Sequence, residues 1–115
     1  MKLQNYIIES NSKIIEAIER MQIIKTRDLL IRKQKKIIGT VSEGDILRSI
    51  LRGKDLRSAV EDACNMNFKF VKLGEEHKAV DIFKKEKIFI VPVFDKNFNL
   101  KNIITLSNFL NAPKK

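Results

Sequence analysis

The chain repeats itself. Moving its second half back by 63 positions places Asn102 on Gly39, Thr105 on Ser42 and Asn108 on Asp45. The same order of elements then lies over itself: a short extended stretch, a helix, two strands and a second helix. Two half-units of this kind each leave one sheet face uncovered, so they are expected to fold as an α/β pair, each half covering the other.

In the first half, Tyr6-Ile7-Ile8 is too brief an apolar burst for a helix and reads as a strand, closed by the turn-forming run Glu9-Ser10-Asn11-Ser12. Ile14, Ile15, Ile18, Met21 and Ile24 recur at helical spacing and predict a helix from Lys13 to Ile24. Leu29-Leu30-Ile31 and Ile37 to Val41 predict two strands, joined by a polar connection over Arg32 to Lys36. A helix from Glu43 to Arg52 follows, with Ile46, Leu47, Ile50 and Leu51 expected on one apolar face and Gly53 where a helix end favours positive φ. Residues 1–53 thus form the first repeat. A polar joint over 54–66 has room for a short helix around Ala59, Val60 and Ala63. Residues 67–111 form the second repeat, with an extended segment at Phe68 to Val71, a helix from Glu75 to Lys87 and strands at Ile88 to Phe94 and Leu100 to Ile104. A last helix opens at Thr105, and residues 112–115 have linker-like composition.

Ser42 and Asp45 stand as S-x-x-D ahead of an apolar run. The serine oxygen can accept from a backbone amide at the helix start while the carboxylate reaches back to the serine's own amide. A helix start beside a strand also presents unpaired N–H groups to an anion. Capping, phosphate binding, or both at once remain open from these residues.

Composition narrows the function. With 23 Lys and Arg against 14 Asp and Glu, the formal charge is +9, yet residues 1–57 carry 13 basic and 7 acidic groups and residues 58–115 carry 10 and 7. Neither half is a basic arm, and the run Arg48, Arg52, Lys54 and Arg57 reads first as a solvated helix face, which argues against nucleic acid. The single cysteine, Cys64, cannot form an intramolecular disulfide, no apolar run approaches a membrane span, and the Met-Lys-Leu-Gln-Asn start leads into no signal-like core; a cytoplasmic protein is expected. His77 lies beside Glu75 and Glu76, but neighbours in sequence on a helix do not face one ligand, so no metal site is expected. One histidine assembles no Ser-His-Asp set, four scattered glycines make no phosphate-cradling loop, and a chain that is not itself an enzyme is expected. Phe68, Phe70, Phe83, Phe89, Phe94 and Phe98 are expected mostly inside.

The two halves resemble the paired CBS domain, or Bateman module. Its G-h-x-[ST]-x-x-D pattern is matched by Gly39, Thr40, Val41, Ser42 and Asp45, and its V-P-V-x-D phrase by Val91-Pro92-Val93-Phe94-Asp95. Ile38 to Arg48, followed by Leu51-Arg52-Gly53 and later Met66-Asn67, further resembles CBS pairs that precede sugar-phosphate nucleotidyltransferase domains, departing from them at Ser42, Glu43 and Leu47. The resemblance implies tandem β-α-β-β-α repeats whose two small sheets pack about a pseudo-twofold axis with a ligand cleft between them. It implies a regulatory adenine nucleotide (AMP, ADP or ATP) or other purine nucleotide as ligand, with no required cofactor, and a homodimer formed through helices, for which the Ile46/Ile50 and Val80/Phe83 faces are candidates. It also implies a fragment, with a catalytic domain of the same parent chain joined after Asn111-Ala112-Pro113-Lys114-Lys115.

By the same resemblance Asp45 accepts from ribose hydroxyls and Ser42 faces the phosphate, with Thr40 and Gly39 beside them, while Asn67, Phe68, Ile88 and Phe89 complete the cleft. The second site is degraded: Thr105 keeps the cap, but Asn108 replaces the aspartate and Asn102 the glycine, so one nucleotide per chain is expected. Two rivals stand beside this reading, a structural dimerisation module that binds no nucleotide and a small basic nucleic-acid binder.

Overall fold

The computed structural model describes residues 2–110, and the linker-like segment 112–115, with Asn111, lies outside the described residues. The chain divides after Phe68 into two compact units, each with its own three-stranded sheet.

In the first unit a 3-10 turn, Leu3–Tyr6, leads into strand β1 (Ile7–Glu9), helix α1 (Ile14–Ile24), strands β2 (Asp28–Lys33) and β3 (Lys36–Ser42), and helix α2 (Glu43–Leu51). The sheet order is β1-β2-β3, with β1 parallel and β3 antiparallel to β2. α1 is the crossover that a parallel β1/β2 pair requires. Its Ile14, Ala17 and Met21 pack with Leu29, Ile31, Val41 and Ile46 into one core, which Val60 and Ala63 of a short 3-10 helix, Val60–Ala63, complete. The joint therefore belongs to this unit, tied by bridges from Ala59 to Lys13 and from Asn65 to Thr40.

The connection between β2 and β3 is tighter than the predicted five residues. Only Gln34 and Lys35 turn, both at positive φ (51° and 68°), the backbone of a two-residue turn whose twist matches that of the flanking strands. Arg32 and Lys33 stay in the strand, where they pair with Glu9 and Glu61, each at 2.7 Å.

The predicted apolar face of α2 also divides. Ile46 and Ser49 are the buried residues, whereas Leu47 is 63% and Leu51 86% exposed. The helix is anchored at its first turn, so the start direction of the chain at Ser42, rather than the summed apolar content, decides which stripe meets the core.

The second unit follows the same order: β4 (Val71–Lys72), a 3-10 turn (Glu76–Lys78) running into α3 (Ala79–Lys85), β5 (Ile90–Phe94), β6 (Leu100–Thr105) and α4 (Leu106–Leu110). β4 is parallel and β6 antiparallel to β5. In both units the register slips by one residue in the antiparallel pair, past Ile38 in β3 and past Lys101 in β6, two positions 63 apart. The bulge is thus part of the repeat.

Several elements here are shorter than predicted. β4 accompanies only Val93 and Phe94 of β5, and Pro92, which has no N–H to donate, lies where β5 has no β4 residue opposite. Ile88 and Phe89 precede β5 rather than open it. The helix ends at Lys85, because Glu86 turns extended while its N–H still reaches the Ile82 carbonyl. Of the six phenylalanines expected mostly inside, Phe94 alone is fully buried; Phe70 and Phe98 are 39% and 45% exposed. Phe98 sits at positive φ in the turn after β5 and lays its ring on Phe94, centroids 4.1 Å apart, while Phe70 meets both edge-on. Asp95 holds that turn by accepting from the Asn97 and Asn99 amides, each at 2.9 Å, which keeps its carboxyl below the usual range, the Asn99 bond foremost.

Candidate functional site

The site grows from the way β3 runs into α2. Ser42 is the last extended residue (φ −112°, ψ 168°) and caps the helix. Its Oγ accepts from the Asp45 amide at 3.1 Å, and Asp45 Oδ2 accepts from the Ser42 amide at 2.9 Å, so both arms of the predicted capping box are made. The Glu43 amide donates to the Arg27 carbonyl at 3.1 Å, just ahead of β2. Two first-turn amides are therefore already engaged by the protein, which leaves the helix mouth weaker as an anion site than an uncapped end would be. The Ser42 hydroxyl proton remains available to donate.

The Asp45 side chain is 19% exposed, and its second oxygen is not idle. Arg48, one turn along, donates from Nη2 to Asp45 Oδ1 at 2.8 Å. Sequence reasoning assigned Arg48 to a solvated face; the i, i+3 placement of opposite charges was the signal for this pair.

Gly39 and Thr40 lie in β3 beneath the joint. The Thr40 amide donates to the Asn65 carbonyl at 3.0 Å and the Asn65 amide returns to the Thr40 carbonyl at 2.7 Å. A Cβ on Gly39 would run into the Cys64 sulfur and come within 2.7 Å of the Asn65 carbonyl oxygen. The glycine is thus required by the protein's own chain crossing over it. Cys64 is half-buried there, and burial, followed by the negative charges of Glu61 and Asp45, pushes its thiol up to about 11.

Of the other expected residues, Asn67 is exposed and its amide donates to Asn65 Oδ1 at 3.0 Å; Phe68, half-buried, ends the first unit. The structure therefore groups Gly39, Thr40, Ser42 and Asp45 on one strand-helix junction, with residues 64–65 bridged to it. Ile88 and Phe89 are half-buried residues of the second unit, where the Phe89 carbonyl accepts from the Leu106 amide at 2.8 Å. That bond repeats the Arg27–Glu43 contact of the first unit. At the corresponding β6–α4 junction of the second unit Thr105 Oγ1 accepts from the Asn108 amide at 3.0 Å, Asn108 is exposed, and Asn102 turns its Oδ1 to the Ile103 amide at 2.8 Å.

A cavity of about 390 Å³ opens elsewhere in the first unit, between β1 and α1, and none of the expected site residues lines it. Its charged side chains have partners within the protein: Glu9 pairs with Arg32, Glu16 accepts from the Lys13 amide, and Arg20 donates to the Asn5 and Ile7 carbonyls. Among the described residues no cluster of His, Cys, Asp and Glu is arranged to hold a metal, and no helix is long and apolar enough to cross a membrane.

Comparison with known proteins bears on this geometry. Residues 2–52, within the unit that carries the Ser42–Asp45 junction, match the family model of the CBS domain. Over both units the chain superposes on a signal-transduction protein with CBS domains from Burkholderia ambifaria, TM-score 0.81 at 20% identity, covering 93% of this chain and 80% of that one. The fold is that of a CBS domain pair. A CBS domain pair/ACT domain protein from Thermotoga maritima aligns with TM-score 0.72 and 23% identity over 97% of this chain and 95% of its own. The protein CBSX2, solved in complex with AMP, aligns with TM-score 0.75 and 22% identity over 95% and 87%. No curated protein matches the sequence.

Proposed function

We propose that this CBS pair is a regulatory, non-catalytic module that senses an adenosine or other purine nucleotide at Asp45. We further propose that it controls a sugar-phosphate nucleotidyltransferase domain in the same parent chain and works in the cytoplasm as a homodimer. The observation that carries the reading is the state of the Asp45 carboxylate. A carboxylate offers about four acceptor positions; here the Ser42 amide uses one on Oδ2 and Arg48 uses one on Oδ1, so each oxygen keeps one position. Two free acceptors on adjacent oxygens suit the two vicinal hydroxyls of a ribose. Ser42 donates its hydroxyl proton toward the phosphate, and Thr40, Gly39, Asn67 and Phe68 of the same unit supply the surrounding walls. The fold shared with CBSX2, which binds AMP, supports the nucleotide class. Regulation requires that the nucleotide bind two states of the protein unequally.

Calorimetry with AMP, ADP and ATP tests this. Asp45→Ala is expected to abolish binding, and 2′-deoxy nucleotides are expected to bind on the order of tenfold more weakly through loss of one hydrogen bond to a charged acceptor. Unchanged affinity in Asp45→Ala would remove the carboxylate from the site.

A second reading, a dimerisation module without ligand, is favoured by the exposed Leu47 and Leu51 of α2 and by the Asp45 oxygens already having protein partners. A thermal-shift panel of AMP, ADP, ATP, GTP, CMP and S-adenosylmethionine separates the two, since a flat response across it supports assembly alone.

A further inference from the structure

We propose that Arg48 is the positioning residue of the Asp45 site, and that Gly44 is a glycine in order to admit it. The proposal rests on the reading of Asp45 as a ligand acceptor.

Gly44 is the second residue of α2, and it is not among the residues at positive φ, so its backbone conformation does not call for glycine. Helix propensity alone favours alanine there. What the position carries is a close neighbour: a Cβ on Gly44 would stand 3.2 Å from Arg48 Nη1, so that the guanidinium would have to give by a few tenths of an ångström, and at an ordinary 3.5 Å from Nη2. The guanidinium lies back over the first turn, in the direction helical side chains naturally take, and from there it reaches Asp45 Oδ1 at 2.8 Å. The Ser42 amide holds Oδ2 at 2.9 Å. With one oxygen held from each side, the carboxylate cannot swing about its terminal torsion, and the two acceptor positions left over point in a fixed direction. Without Arg48 one oxygen is released and the orientation is set from one side only.

The pair is poorly placed to serve stability. The Arg48 side chain is 59% exposed, and exposed ion pairs contribute little to folding. A role in orienting Asp45 accounts for the glycine and the pair together.

The test measures AMP affinity of the full chain by calorimetry alongside thermal stability. Arg48→Gln is expected to lower AMP affinity on the order of tenfold, the scale of one charge-assisted hydrogen bond, with little change in Tm. Arg48→Lys, which keeps the charge without the planar fork, is expected to recover part of that loss. Gly44→Ala is expected to keep or raise Tm while weakening AMP binding, because the new methyl displaces the guanidinium by a few tenths of an ångström and strengthens the helix. In the wild-type protein without nucleotide, the Arg48 Nη–H resonances are expected to show hindered rotation, and Asp45→Asn is expected to release it. If Arg48→Gln binds AMP as wild type does while Asp45→Asn does not, the positioning role is overturned and the Asp45 reading stands. If Asp45→Asn binds AMP as wild type does, or the wild type binds none, the reading of Asp45 fails and the proposal falls with it.

Discussion

At Gly39 a single missing methyl records a long-range contact. The Cys64 sulfur and the Asn65 carbonyl fill the space where a Cβ would stand, so Gly39→Ala forces strand and joint apart. Overpacking of this kind is expected to cost about 1–3 kcal/mol, read as a lower urea midpoint at unchanged m-value. Adding Cys64→Ala should restore part of the loss, because the sulfur goes but the Asn65 carbonyl stays. Cys64 itself should behave as a quiet thiol. Burial raises it to about 11, so the folded protein holds the proton that the unfolded chain releases from about 8.5. Stability linked to this group is therefore present below about pH 8.5 and lost as pH rises toward 11. Alkylation of the folded protein should be slow at neutral pH and accelerate only at strongly alkaline pH, in contrast to the urea-unfolded chain. Equal rates at pH 7.5 would show the thiol to be open.

Among the elements, the β2–β3 hairpin is the one whose local chemistry is least satisfied. Gln34 and Lys35 both hold positive φ, a region that costs an ordinary L-residue about 1–2 kcal/mol and that Asn and Gly occupy readily. The double substitution Gln34→Asn, Lys35→Gly is expected to raise Tm by several degrees, monitored by circular dichroism, with the fold unchanged. Helix α2 shows the opposite balance: both arms of its capping box are made by Ser42 and Asp45 and its first amide is tied to Arg27. That firm start sets the rotation of the helix, placing Ile46 in the core and Leu47 and Leu51 outside.

On the scale of the whole molecule, each unit carries its own hydrophobic cluster, around Leu29, Ile31 and Val41 in the first and around Val71, Val91 and Val93 in the second. The contact surface expected from sequence, Ile46 with Ile50, shifts accordingly: Ile46 is 4% exposed and belongs to the first core, while Leu47 and Leu51, with Ile50 at 39%, form the outward apolar stripe. If the proposed homodimer uses α2, Leu47→Glu with Leu51→Glu should convert it to monomer in sedimentation velocity without loss of helical signal. A dimer that persists would place the contact on another face.

The repeat, the order of elements, the cap at Ser42 and Asp45, and the turn of the chain at Gly53 (φ 102°) were legible from residue order alone. Each depends on interactions a few residues apart, in helical spacing, apolar runs or the reach of a short side chain. The sequence could also show that Asn108 replaces an aspartate, because a register of 63 is a property of the string. Which stripe of α2 faces inward, why Gly39 must be glycine, and that Arg48 lies on Asp45 across the space Gly44 leaves open were decided by tertiary structure. Those outcomes depend on rotation about a helix axis and on chain segments that meet from 25 positions apart, as Gly39 and Cys64 do, and linear spacing carries no measure of either.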